Sequence, residues 1–317
     1  MSQIERQGHP RDTGVVATLK RTWSEFSEDR LTDAAASLTY YAVLAMFPAL
    51  IALVSLVGVV ADPAETTKAI QDVIAQIGPS SATQTFAEPI RSITSQPGRS
   101  GVFLVIGLLT ALWSASGYVG AFMRVANDIY EVDEGRPIWK LRPLQMLVTL
   151  VLLLLVVLAA LAVIVSGPLA DAIGSAVGLS DTFVTVFSIV KWPIILLVVS
   201  TMVSILYYAA PNAKLPGFKW VTPGGLLAVL VWIVASLLFA FYASNFGSYD
   251  KTYGTLGGVV IFLVWLWITN IAILLGAQLN AERARGEQFE DGVPGAEKEL
   301  QIPERDAPDA EDRPKTA

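Results

Sequence analysis

Residues 33–62 read DAAASLTYYAVLAMFPALIALVSLVGVVAD, which places 28 uncharged residues between two aspartates. A helix rises 1.5 Å per residue, so about 20 apolar residues cross the ~30 Å of hydrocarbon in a bilayer. The stretch is about twice as long as the apolar part of a secretory leader and begins only near Ala34, so it is read as a span and not as a signal peptide.

Five further runs meet the same criterion. With the first they give spans at about 34–61, 102–123, 144–166, 184–209, 221–243 and 257–279. The third, LQMLVTLVLLLLVVLAALAVIVSG, is apolar on every face, as a lipid-embedded helix is. An apolar content of 53% with only 16% charged residues fits this reading and not an ordinary soluble domain. The expected fold is therefore an all-α integral membrane protein with six transmembrane helices and short amphipathic interfacial helices.

Charge sets the expected direction. Of 22 Lys and Arg residues, seventeen fall before the first span, in the second and fourth connections and after the last span; four fall in the other three connections, and Lys191 lies inside the fourth span. By the positive-inside rule both termini of this multi-pass membrane protein are cytoplasmic.

The chain divides into an N-terminal cytoplasmic segment (1–33), a transmembrane domain (34–283) and an acidic tail (284–317). Residues 286–317 hold ten acids against four bases, which accounts for the whole net charge of −6. With four prolines and few large apolar residues, the tail is expected to be disordered. In GVVATLKRTWSEFSEDRL (14–31), Val16, Leu19, Trp23 and Phe26 share a stripe with Lys20 and Arg21 beside it, as in a helix lying in the interface. Between the first two spans, Ile70, Val73, Ile74 and Ile77, then Phe86, Ile90 and Ile93, suggest two short amphipathic helices covering the outer side.

Several function classes drop out. There is no cysteine and a single histidine, His9, so no thiolate metal site or cysteine nucleophile exists, and neither a catalytic residue, a metal nor a cofactor is expected. No GxxxxGK[ST] loop is present, so any ATP drive would come from a partner. Residues 1–285 sum to zero charge, which argues against nucleic acid as a partner.

The candidate site residues are mostly polar or aromatic groups within or beside spans. Pro48 removes a backbone hydrogen bond and kinks the first span; with Tyr40 and Tyr41 it forms either a hinge lining a substrate path or a fixed bend with tyrosines in the headgroup belt. Lys191, next to Trp192, either snorkels to the outer interface or faces a cavity that attracts an anionic headgroup. SNFGSYDKTYGTLGG (244–258) brings Tyr249, Tyr253 and Gly254 into a glycine-rich turn between the last two spans. Asn127, Asp128, Pro211, Asn212, Asn270, Gln278, Asn280 and Glu282 sit in or after the inner ends of spans, either as packing contacts or as the lining of one vestibule. Small-residue spacings such as Gly107, Ala111 and Ala115 are read as packing faces.

Four stretches together resemble the YihY/BrkB family of bacterial inner-membrane proteins, earlier labelled ribonuclease BN-like. They are AAASLTYYAVLAMFPALIALVSLVG; LWSASGYVGAFMRVANDIYEV with RPIWKLRP; YYAAPNAKLPGFKWVTPGGLLAVLVW; and FGSYDKTYGTLGGVVIFLVWLWITNIAILLGAQLNAE. They cover about residues 20–283 in order. One departure is Gln278, where the family more often has an acid, which puts proton coupling at this position in doubt. The resemblance implies a six-helix membrane protein similar to transporters or lipid-handling factors of the envelope, with membrane lipids and envelope proteins as partners. A non-transporting scaffold for envelope machinery is the alternative. The ribonuclease reading is disfavoured, because clustered metal ligands or acid–base pairs are missing.

Overall fold

The computed structural model describes residues 12–60, 97–164, 181–245 and 255–307. Among them the regular structure is helical: α1 (Val15–Glu28), α2 (Leu31–Val60), α3 (Pro97–Ile129), α4 (Ile138–Ile164), α5 (Asp181–Ala209), α6 (Pro223–Asn245) and α7 (Thr255–Glu290). Each of the six apolar runs is occupied by one of the helices α2–α7. Among the described residues, four stretches, Ile138–Val156, Val190–Ala209, Pro223–Tyr242 and Val259–Glu290, are long and apolar enough to cross a membrane.

Side-chain placement inverts the pattern of a soluble protein. Leu147, Leu150, Leu154, Leu197, Leu226, Leu230, Leu237 and Phe241 are exposed, whereas Gln145, Thr149, Ser200, Thr201, Ser204, Asn270 and Gln278 are buried. In water that arrangement leaves large apolar patches uncovered; in lipid it costs nothing.

The helices belong to two compact units. The first gathers Met1–Ala34, Phe122–Ile233 and Ile271–Ala317; the second gathers Ala35–Ala121 and Val234–Asn270. In the first unit α4 packs on α5.

Local chemistry accounts for the helix ends that matter below. Asp12 accepts a hydrogen bond from the Gly14 amide (3.0 Å) just ahead of α1. Arg30 adopts a left-handed conformation (φ 51°) and turns the chain directly into α2. The end of α3 is closed by a bond from the Val132 amide to the Asn127 carbonyl (3.0 Å), with Glu131 at φ 55° where glycine is usual. Thr222 caps α6: its hydroxyl accepts from the Gly225 amide (3.0 Å), and Pro223 opens the first turn, where a missing N–H goes unnoticed.

Helix α7 continues past the expected span to Glu290, so its 36 residues measure about 54 Å, well beyond a hydrocarbon core. One expectation is corrected here. The acidic tail is ordered as far as Ala307, contrary to the disorder inferred from its composition. The reason is a set of specific tethers: Lys214 donates to the Pro303 carbonyl (2.8 Å), Arg305 donates from its amide to the Asn212 carbonyl (2.6 Å), and Ala213 forms a β-bridge with Glu304. Residues 308–317 lie outside the described residues, as do those of the two expected outer helices.

Candidate functional site

In the first unit, α1 is turned inside out relative to a soluble amphipathic helix. Val15, Val16, Leu19 and Trp23 face outward, Trp23 at 67% exposure, while Thr18, Arg21, Thr22, Glu25 and Phe26 are buried. The apolar stripe of Val15, Val16, Leu19 and Trp23 is thus exposed. Phe26 leaves that stripe, however, and Arg21 is not the headgroup-facing cation that its position beside the stripe suggested.

Arg21 instead enters a buried ionic chain. Its Nε donates to Glu282 Oε2 (2.9 Å), Arg285 Nε donates to Glu282 Oε1 (3.1 Å), and Arg285 Nη2 donates to Glu131 Oε1 (3.1 Å). Glu282 is 1% exposed. Arg285 also donates to the Ala296 carbonyl (3.0 Å), and Glu131 accepts from the Leu300 amide, so the chain of charges holds the tail as well. The Arg21 guanidinium also lies 5.3 Å from the Phe289 ring centroid. Both oxygens of Glu282 are thus used on two cations, which is what makes so buried a carboxylate tolerable.

A second polar cluster joins the end of α3, the 130–137 connection, the end of α5 and the tail. Asn212 is fully buried (0% exposed). Its amide donates to Asn127 Oδ1 (2.7 Å), and its side-chain nitrogen donates to the Asp133 and Asp306 carbonyls (2.8 and 2.7 Å). Arg136 grips both oxygens of Glu134 (2.7 and 2.6 Å) and donates to the Ala210 carbonyl (2.9 Å). Partial burial pulls the Glu134 carboxyl up, but the hydrogen bonds and charge of Arg136, with Asn127, outweigh it and hold the group below its usual 4.5.

Between these clusters and α6 lies a cavity of about 140 Å³. Tyr130, Ser204, Tyr207 and Thr222 line it, with Lys219, Arg283 and Glu287 among its charged groups. The 215–220 segment shapes this wall: Gly217 takes φ 56°, and Tyr208, Phe218 and Trp220 contact edge-to-face at 5.6 and 5.3 Å. On the α6–α7 side the helices meet backbone to backbone. A Cβ on Gly224 would collide with the Gly276 carbonyl, and one on Gly276 would collide with the Gly224 carbonyl and the Tyr207 hydroxyl.

The second unit holds a polar node of its own. Tyr118 donates to Asn270 Oδ1 (2.8 Å), and Asn270 Nδ2 donates to Thr39 Oγ1 (3.1 Å) and to the Leu266 carbonyl (3.1 Å).

The family model described as "Virulence factor BrkB" matches residues 22–300, a range that includes α2–α7 and every member of the buried ionic chain except Arg21. The chain belongs to the BrkB family. It is 32% identical over 278 residues to a Bacillus subtilis protein named "Putative ribonuclease-like protein YfkH", covering 87% of this chain and 98% of that one. It is 27% identical over 261 residues to a UPF0761 membrane protein of Aggregatibacter aphrophilus, covering 82% and 89%. A UPF0761 membrane protein of Alkalilimnicola ehrlichii matches at 27% identity, with this chain spanning 55% of its length. No solved structure matches. The chain is thus a membrane protein of the BrkB family, with several long apolar helices.

Most of the residues singled out from sequence can be located in this BrkB fold. Tyr40 is exposed and stands edge-on to Tyr41 at 5.6 Å, and a Cβ on Gly117 would lie 3.4 Å from the Tyr41 ring. Pro48 lies within α2, outside the residues whose side chains are described. Lys191 is 9% exposed, with its Nζ 5.5 Å from the Trp192 ring centroid. Tyr249, Tyr253 and Gly254 lie outside the described residues.

The inner-end polar residues of the first unit fall into separate contacts. Asn212 joins Asn127 in the clasp, and Glu282 joins the ionic chain. Asn280 serves α6, accepting from the Gly224 amide (2.9 Å) and donating to Thr222 Oγ1 (3.1 Å). Asn270 belongs to the second unit. Gln278 is buried, and its Oε1 has no hydrogen-bond partner among the described residues.

Arg21, Glu131, Arg136, Arg285 and the cavity's Ser204 were not among the sequence candidates. The one available signal was the density of charge just beyond the spans. Among the described residues no group of His, Asp and Glu could hold a metal ion.

Proposed function

We propose that this chain is a six-span, inner-membrane protein with both termini cytoplasmic, which handles a lipid or amphipathic envelope precursor as a transporter or flippase-like factor. The observation that carries this reading is the cavity of the first unit, which has Lys219, Arg283 and Glu287 in its lining and whose wall includes the segment bearing the exposed Phe218 and Trp220. An amphipathic substrate needs both surfaces together: a wet foothold for its head, and an apolar exterior for its chains. The outward faces of α4–α7 supply the second. The alternation of basic residues among the connections supports the orientation.

The test is reconstitution into vesicles carrying a fluorescent phospholipid and addition of an impermeant quencher. The reading expects faster loss of inner-leaflet fluorescence than in protein-free vesicles, and equal rates refute it.

The scaffold reading is favoured by a different observation. The ionic chain Arg21–Glu282–Arg285–Glu131 is fully paired and fastens the tail, which makes a rigid platform. A scaffold would leave lipid exchange at the protein-free rate and would co-purify with envelope proteins after crosslinking in cells.

A further inference from the structure

We propose that the cavity at the start of α6 binds the phosphodiester group of an anionic phospholipid. The proposal rests on the lipid-handling reading above and names the headgroup chemistry of that same site.

Three observations converge. Ser204 is 1% exposed, lines the cavity, and its hydroxyl has no hydrogen-bond partner among the described residues. A buried hydroxyl left unpaired costs about 1–3 kcal/mol, so a ligand that accepts its proton recovers a loss already present in the fold. The cavity, at about 140 Å³, is also several times what one water requires (roughly 10–15 Å³), so it admits a polyatomic group.

Charge selects the kind of group. Arg21, Arg136, Lys140 and Arg285 are all engaged with carboxylates. Lys219 and Arg283 border the cavity, and neither has an ion pair among the described residues. Glu287 is the one acid in the lining, so the charged groups sum to about +1. A phosphodiester carries a single negative charge and neutralises that sum, whereas a doubly charged phosphate monoester over-neutralises it.

The surroundings select a lipid over a free ion. Lys219 lies in sequence between Phe218 and Trp220, both exposed, and Val221 and Leu226 are exposed close behind. Aromatic rings flanking a cation are what the headgroup level of a bilayer favours, with acyl chains lying along the apolar residues beyond.

The experiment is calorimetric titration of the full chain in a phosphate-free maltoside micelle with three probes: dihexanoylphosphatidylglycerol, inorganic phosphate, and uncharged dihexanoylglycerol. The phosphatidylglycerol is expected to bind, inorganic phosphate to bind far more weakly, and dihexanoylglycerol not to bind. Lys219→Gln and Arg283→Gln are each expected to weaken phosphatidylglycerol about tenfold, the value of one charge-assisted hydrogen bond. Ser204→Ala is expected to weaken it too, while leaving the melting temperature equal or higher, because it removes an unpaired buried hydroxyl. A purely structural Ser204 would not produce that opposition.

Equal affinity for inorganic phosphate would overturn the lipid source and leave a free-anion site. Absence of phosphatidylglycerol binding, or wild-type affinity in all three variants, overturns the site. Since the titration reads occupancy and not movement, binding without vesicle exchange would refute transport alone; exchange without binding would refute this site alone.

Discussion

Gly224 and Gly276 stand where the backbones of α6 and α7 touch, with carbonyl oxygens occupying the space a methyl group would need. Gly276→Ala must push the helices apart, and overpacking of that kind costs about 1–3 kcal/mol. Its melting temperature in detergent should fall clearly below wild type. Gly217→Ala is the contrast: nothing crowds it, so only the left-handed φ is strained, at roughly 1–2 kcal/mol. Glu282 is a harsher case. Glu282→Ala leaves Arg21 without its carboxylate and Arg285 with Glu131 alone, and breaking a buried pair in this way costs about 3–5 kcal/mol. That variant should melt lowest of the three, and adding Arg21→Met should recover part of the loss by removing one stranded charge.

At the scale of elements, the tail is held by main-chain and side-chain bonds together: Arg305 also donates from Nε to the Ala213 carbonyl (2.8 Å), and Asp306 pairs with Lys140 (2.7 Å). Asn212→Ala removes the two bonds its side-chain nitrogen gives and the one its side-chain oxygen accepts from the Asp306 amide (3.2 Å). Amide hydrogens around 303–306 should then exchange faster, by about tenfold for each ~1.4 kcal/mol lost, with α6 unaffected. Acid should act on the neighbouring connection. Because Glu134 titrates below 4.5 when folded, its contribution is complete above that value and disappears as the pH falls through the lower, folded value. Exchange in 130–137 should therefore rise on acidification below about pH 4.5, and Glu134→Gln should remove that pH dependence.

The same elements show what could be read in advance. The six long helices were legible because length and hydropathy are local properties. The order of the tail was not, because composition reports residue types and not the partners, Lys140, Asn212 and Ala213, to which Arg305 and Asp306 are tied. The ionic chain was not legible either. Arg21 and Glu282 are 261 positions apart, and a charge just beyond a span reads as an orientation signal before it reads as half of a pair. Asn212 and Asn280 were picked out as polar residues at span ends, but whether such groups pack or line a passage depends on partners that no spacing reveals.

For the whole molecule, orientation is the property to test, and the absence of cysteine makes the test clean. Single variants Lys298→Cys and Lys68→Cys should react with an impermeant maleimide from opposite sides: Lys68→Cys in intact spheroplasts, Lys298→Cys only in inverted vesicles. Reaction of both from one side would refute an odd number of crossings between them.

The inverted burial of α1 has a consequence for how the chain is made. Arg21 leaves the ribosome early, but its carboxylate emerges 261 residues later, about 13–50 s at ordinary elongation rates. Through that interval the first helix can rest its apolar side on lipid, while Arg21 waits for the carboxylate it pairs with in the finished fold. A nascent chain cut short before Glu282 keeps an unanswered guanidinium, so this pairing distinguishes finished polypeptides from fragments.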